Sequence, residues 1–173
     1  MWRWLSVLPL ALAMGPAAAA GLRYLALGDS YTIGEGVPEA ARWPAQLAQA
    51  LRARGFDVAT PQYVARTGWT TDELAAAMDA EDFAPPHDLV SLLIGVNNQY
   101  RGRDAQQYQR EFAALLERAI ELAGGRSGRV FVLSIPDWGV TPFAAGSDRD
   151  PAQVARELDD YNALAQAACR RRN

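Results

Sequence analysis

Leu22-Arg23-Tyr24-Leu25-Ala26-Leu27-Gly28-Asp29-Ser30-Tyr31-Thr32-Ile33-Gly34-Glu35-Gly36 decides how this chain is read. Its first half is apolar at Leu22, Leu25, Ala26 and Leu27, as expected of a strand buried on both faces of a parallel sheet. Gly28 ends the strand. Ser30 lies two residues past its carboxyl end, where open α/β sheets hold their ligands. Gly34 and Gly36 leave the following backbone free to turn and to approach a bound group. The stretch has two readings: Ser30 as a nucleophile, or a plain strand followed by a polar turn.

Downstream, strands and helices alternate. Trp43-Pro44 opens a helix to about Arg54, with Trp43, Leu47, Ala50 and Leu51 on one face and Gly55 as its stop. Asp57 to Val64 reads as a weaker strand, and Pro61 assigns it to the sheet edge. Thr70 and Glu73 have capping-box spacing for a helix running towards Met78, just after Gly68. Asp88 to Ile94 is a buried strand ending in Gly95-Val96-Asn97-Asn98. Asp104 begins what reads as the longest helix, with an apolar stripe through Tyr108, Phe112, Leu115, Leu116, Ala119 and Leu122. Arg129 to Ile135 is the next strand, and Pro136 to Asp150 a long loop. Asp150-Pro151 caps a last helix with Val154, Leu158, Tyr161 and Leu164 on one face. This order predicts an α/β fold with a parallel sheet covered by helices on both faces.

Composition narrows the chemistry. The 173 residues suit one domain, half of them hydrophobic, with a formal net charge of −3. No basic stripe is visible, so nucleic acid is not an expected partner. Every basic residue is arginine, which excludes a P-loop lysine, a Schiff-base lysine and a Ser-Lys dyad. One cysteine, Cys169, cannot make an internal disulfide, and with one histidine, His87, it cannot build a His/Cys zinc site. A carboxylate-only metal site is not excluded by counting, but no EF-hand spacing appears. Residues 1–20 read as a secretory signal: Arg3, an apolar run from Leu5 to Met14, then Ala18-Ala19-Ala20 before Gly21. That predicts a mature domain of residues 21–173 in the periplasm or outside the cell. No later segment is long and apolar enough to span a membrane.

Ser30, Gly68 and Asn97 each follow a different predicted strand at its carboxyl end, so all three can line one crevice. Acyl transfer needs a nucleophile plus donors aimed at a developing oxyanion. A backbone N–H at a glycine and an asparagine amide are suitable donors. The set is more specific than any member alone.

These residues resemble a family. Gly28-Asp29-Ser30 is similar to the first block of the GDSL, or SGNH, hydrolases. Gly68 in Arg66-Thr67-Gly68-Trp69-Thr70-Thr71 is similar to the second. Gly95-Val96-Asn97-Asn98 is similar to the third, a Gly-x-Asn-Asp pattern with Asn98 in the last place. The resemblance implies a flavodoxin-like α/β/α sandwich and metal-free hydrolysis of small-molecule esters, often short-chain or acetyl. It implies Ser30 as nucleophile, with the Ser30 N–H, the Gly68 N–H and the Asn97 side chain as oxyanion donors. The Gly-x-Ser-x-Gly elbow of the α/β-hydrolases is absent.

The family's fourth block is a catalytic Asp-x-x-His after a fifth strand, and this sequence contains no Asp-x-x-His. The expectation is therefore a family member truncated at its carboxyl end, without its last strand and impaired in catalysis. His87, at the start of the third strand, lies roughly 20 Å along it from Asn97, far beyond the ~3 Å that a general base needs. It reads as a surface loop residue. A domain that only binds acylated glycans or lipids is the alternative to an enzyme. Transfer of acyl groups to sugars would need the same histidine. Trp69, Tyr100, Trp138 and Phe143 fall near the crevice and could line a pocket or simply cover the sheet. Arg101 and Arg103 read as surface arginines. Asp29 is expected to hold its turn by backbone hydrogen bonds, and Cys169 to be a small buried residue.

Overall fold

A computed structural model describes residues 21–84 and 86–172. The expected secretory signal, residues 1–20, lies outside the described residues. The sheet has four parallel strands, β1 (Tyr24–Gly28), β2 (Gln62–Ala65), β3 (Leu89–Leu93) and β4 (Val130–Val132), in the order β2-β1-β3-β4. This is the doubly wound arrangement: the chain steps from β1 to one side, then returns to pair β3 on the other. The reversal between β1 and β3 opens a crevice at their carboxyl ends.

The helices follow from chain handedness. Right-handed crossovers put the connection from β1 to β2 on one face of the sheet, and those from β2 to β3 and β3 to β4 on the other. Helix α2 (Trp43–Ala53) accordingly covers the first face with Trp43, Leu47, Ala48 and Leu51, against Tyr24 and Ala26 of β1. The opposite face is covered by α3 (Thr71–Ala80), α5 (Ala105–Leu122) and α7 (Pro151–Arg170). Leu25 and Leu27 alternate with Tyr24 and Ala26 and point into that second, larger core, with Leu74, Met78, Phe112, Leu115 and Leu158. The buried hydroxyls of Tyr24 and Ser91 satisfy each other at 3.0 Å. The capping box forms: Glu73 Oε2 accepts the Thr70 N–H at 2.9 Å.

Several expectations are corrected. The strand after α5 spans only Val130–Val132, not Arg129 to Ile135. Just past β4 the Leu133 N–H still donates to the Leu92 carbonyl of β3 at 3.1 Å, but Ile135 is held by a side chain. The Ile135 N–H donates to Asn162 Oδ1 at 2.7 Å, and Asn162 Nδ2 donates back to the Ile135 carbonyl at 3.0 Å. The edge is therefore short, which lessens the pairing hazard of a long free edge. The strand expected at Asp57 to Val64 pairs only from Gln62, with one isolated bridge between Val58 and Leu22. The longest helix is α7, with 20 residues against 18 for α5. The loop from Pro136 to Asp150 contains a 3-10 turn at Trp138–Val140 and a short helix α6 (Pro142–Ala145).

His87 is not on the surface: it is 1% exposed. Its N–H donates to the Leu122 carbonyl at 2.8 Å, its ring meets Phe83 edge-on, and its Nε2 lies 3.3 Å from Gln62 Oε1. Burial, then the nearby Arg23 charge, hold its pKa below the ordinary 6.5. Cys169, expected to be buried, is partly buried against the core, and this burial raises its thiol pKa.

Candidate functional site

Ser30 opens a single helical turn, α1 (Ser30–Ile33), directly after β1. Asp29 is the cap. Its Oδ1 accepts the Tyr31 N–H at 3.0 Å, which fixes the turn and leaves Ser30 at the crevice. Gly28 is required for space. A Cβ there would lie 2.1 Å from Thr32 Oγ1 and 2.3 Å from the Leu93 carbonyl oxygen, so only glycine lets the turn sit this close to β3. Asp29 is 1% exposed, and its Oδ2 has no partner among the described residues. Burial pushes its pKa up to about 7, against the opposing pull of backbone hydrogen bonds led by the Tyr31 N–H.

Gly68 lies in the turn between β2 and α3, where the Trp69 N–H donates to the Arg66 carbonyl at 3.2 Å. Its φ of +85° demands glycine at the third turn position. Arg101 Nη2 donates to the Gly68 carbonyl at 2.6 Å, and its Nη1 pairs with Glu73 at 3.4 Å. Arg101 thus braces the second loop, a role that the reading as a plain surface arginine missed.

Asn97 stands on α4 (Val96–Tyr100), a short helix directly after β3. Gly95 before it has φ +127°, and a Cβ there would come within 2.6 Å of the Tyr108 ring. Asn97 Nδ2 donates to the Trp69 carbonyl at 2.8 Å, so its amide is oriented by the second loop. The neighbouring Asn98 is fully buried and bonded to Thr71. The signal for this clamp was present in sequence as two adjacent asparagines after a strand.

Ser30, Gly68 and Asn97, each half-buried, line one cavity of about 230 Å³. Tyr31, Glu35, Thr67, Val96, Tyr100, Trp138 and Phe143 complete its wall. Trp69, grouped in sequence with these aromatics, does not line it. Trp138 is held in place: its indole N–H donates to Gln99 Oε1 at 2.8 Å, and Gln99 Nε2 donates to Glu157 Oε2 on α7 at 2.6 Å. Sequence reasoning did not single out Gln99 or Glu157, because they converge from different helices.

A larger cavity, about 690 Å³, runs between α5, α7 and β4, past Val132, Asn162 and Cys169. It holds none of the Ser30 set, and its one thiol is kept protonated by burial, so no activated nucleophile faces it. His87 lies at the amino-terminal end of β3, while Ser30 and Asn97 lie past the carboxyl ends of β1 and β3. No imidazole among the described residues lies at the Ser30 cavity. That cavity joins a hydroxyl to amide donors and an aromatic wall, an arrangement suited to an acyl group.

Comparison with known proteins bears on the family and the fold. Residues 26–173 match the model of the GDSL-like Lipase/Acylhydrolase family. The fold is shared with the solved structure of TesA, at a TM-score of 0.65 and 22% identity, covering 87% of this chain and 74% of that one. AlinE4, described as an SGNH-hydrolase family esterase, superposes with a TM-score of 0.58 at 24% identity over 86% of this chain and 72% of that one. The psychrotrophic esterase EstA from Pseudoalteromonas sp. gives 0.59 at 16% identity over 87% and 73%. No curated protein matches the chain.

Proposed function

The chain belongs to the GDSL-like Lipase/Acylhydrolase family and is by that membership a hydrolase of ester bonds; from this premise we propose that Ser30 is its nucleophile and that Gly68 and Asn97 stabilise the oxyanion. The observation that supports this is the single small cavity lined by all three. In the proposed reaction, Ser30 Oγ attacks the ester carbonyl carbon. The carbonyl oxygen becomes an oxyanion held by the Ser30 N–H, the Gly68 N–H and Asn97 Nδ2. Collapse expels the alcohol and leaves an acyl-serine, which water hydrolyses. Each such donor contributes about 10²–10³ in rate. Short acyl groups, acetyl among them, suit a cavity of this size.

A serine hydroxyl needs a base to take its proton, and the chain's one histidine is at the wrong end of the sheet. The reading therefore includes impaired turnover by this chain alone. We extend it to location: residues 1–20 act as a secretory signal and the domain works in the periplasm or outside the cell. No helix among the described residues is long and apolar enough to cross a membrane.

The test is p-nitrophenyl acetate cleavage with and without added imidazole. Turnover above the protein-free imidazole rate, raised by imidazole and brought back to that rate by Ser30→Ala at every imidazole concentration, supports the reading. Cleavage above the protein-free rate that persists in Ser30→Ala overturns it. The second reading, a domain that binds acylated glycans or lipids without cleaving them, is favoured by the lack of an imidazole beside Ser30. Saturable binding of an acetylated sugar without Ser30-dependent turnover is its signature.

A further inference from the structure

Gly68 has little around it. Its chain neighbours aside, a Cβ built there would meet one atom within 4 Å among the described residues, Arg101 Nη2 at 3.6 Å. Glycine adopts positive and negative φ about equally well. A glycine that must hold φ at +85° and aim its N–H one way therefore needs a support outside itself. Arg101 Nη2 is such a support, because it donates to the Gly68 carbonyl at 2.6 Å in a charge-assisted bond.

The guanidinium is itself anchored at both ends. Its Nη1 lies 3.4 Å from Glu73 Oε2, the same oxygen that accepts the Thr70 N–H at 2.9 Å and the Thr70 hydroxyl at 2.8 Å. The fork thus spans the Gly68 carbonyl and the capping box of α3. At its backbone end, the Arg101 N–H donates to the Asn97 carbonyl at 3.0 Å, one helical turn back. Asn97 in turn donates from its side chain to the Trp69 carbonyl. Gly68 and Asn97, the two donors that flank Ser30, are therefore held by side chains of the same helical turn. Arg103 provides a neighbouring contrast. Its Nη1 pairs with Asp72 of α3 at 2.5 Å, and it makes no bond to Gly68.

We propose that Arg101 is a positioning residue for ester cleavage: by holding the Gly68 carbonyl it keeps Gly68 at positive φ with its N–H directed at the developing oxyanion. This rests on the reading of Gly68 and Asn97 as oxyanion donors, and it adds the side chain that sets one of them. Arg101 does not line the Ser30 cavity and does not touch the substrate. A preset donor acts where charge develops, in the transition state. Its loss therefore lowers kcat and leaves KM nearly unchanged. Lysine keeps the positive charge but has no planar fork to span the carbonyl and Glu73.

The experiment measures kcat and KM for p-nitrophenyl acetate in fixed imidazole, above the protein-free rate, for the full chain and for Arg101→Ala, Arg101→Lys and Arg103→Ala. Each variant is first checked for native circular dichroism, and Arg101→Lys decides if Arg101→Ala does not fold. The expected result is a fall in kcat of about 10–100-fold in both Arg101 variants, with KM within about threefold of the parent. Guanidinium chloride, kept well below its unfolding range, should restore part of the rate to Arg101→Ala. Arg103→Ala should stay close to the parent, since it cuts a parallel link between the same two segments. A folded Arg101 variant with kcat within about twofold of the parent, a loss confined to KM, or an equal loss in Arg103→Ala overturns the proposal. These outcomes leave Ser30-dependent cleavage by the parent standing. A parent without Ser30-dependent cleavage instead removes the nucleophile reading, and this proposal with it.

Discussion

Thr71 and Asn98 exchange two hydrogen bonds across 27 residues of sequence: the Thr71 N–H donates to Asn98 Oδ1 at 3.1 Å, and Asn98 Nδ2 donates to Thr71 Oγ1 at 2.7 Å. Both residues are fully buried. The Thr71 hydroxyl is also bonded to Glu111 of α5. With the Asn97 bond to the Trp69 carbonyl one residue away, this pair locks the loop holding Gly68 to the helix holding Asn97.

Replacing Asn98 with alanine strands the buried Thr71 N–H, while the Thr71 hydroxyl keeps its bond to Glu111. One unsatisfied buried group costs about 1–3 kcal/mol, so Asn98→Ala should lower stability by roughly that amount. Urea unfolding read by circular dichroism checks this. A loss under ~1 kcal/mol would mean that the clamp is incidental.

Asn97→Ala removes a different thing. Asn97 is half-buried and gives up one hydrogen bond to a carbonyl, so stability should fall by only about 1 kcal/mol. Ser30-dependent cleavage of p-nitrophenyl acetate in added imidazole should fall about 10²–10³-fold. A drop of less than tenfold would remove Asn97 from the proposed oxyanion site.

Asp29 makes stability fall as pH rises. Its native pKa is about 7, against an ordinary 3.8, so the folded chain favours the protonated form. The stabilisation is complete below about pH 4 and is lost as pH rises through 7. Asp29→Asn keeps an oxygen for the Tyr31 N–H and cannot ionise. It should therefore gain stability over the parent from pH 4 to pH 8, by at most about 4 kcal/mol. Melting curves at both pH values measure the difference. Equal differences at pH 4 and pH 8 would show that the carboxyl does not titrate in this range.

His87 acts in the opposite direction. Burial lowers its native pKa below 6.5, so the unfolded chain takes up the proton first. The stabilisation it contributes is present above about pH 6.5 and is lost as pH falls towards the native pKa. His87→Gln should flatten the acid side of the stability profile between about pH 6.5 and 5. It should also leave Ser30-dependent ester cleavage unchanged, because the imidazole lies at the far end of the sheet. Loss of cleavage in a folded His87→Gln chain would mean that this geometry is wrong.

Local chemistry and chain handedness were legible before any coordinates. The apolar run at Leu25 to Leu27, the capping pair Thr70 and Glu73, and the stripe through Tyr108 and Phe112 each depend on near neighbours in sequence. Once strands and helices alternate, right-handed crossovers bring the loops after β1, β2 and β3 to one edge. That is why Ser30, Gly68 and Asn97 could be named together, and why their shared cavity was expected. The motif blocks pointed to the same family that residues 26–173 match.

What the tertiary structure alone decided depends on partners far apart in sequence. The burial of His87 is made by Phe83, Gln62 and Leu122, and no local pattern in Pro85-Pro86-His87 announces it. The short β4 reflects Asn162 taking the hydrogen bonds of Ile135 from 27 residues away. The rise in the Asp29 pKa comes from burial of its carboxyl at the turn after β1, a matter of packing and not of composition. Sequence periodicity determined which elements form and in what order. Desolvation and long-range side-chain contacts, which exist only after those elements pack, determined the electrostatics of the site and the shape of its wall.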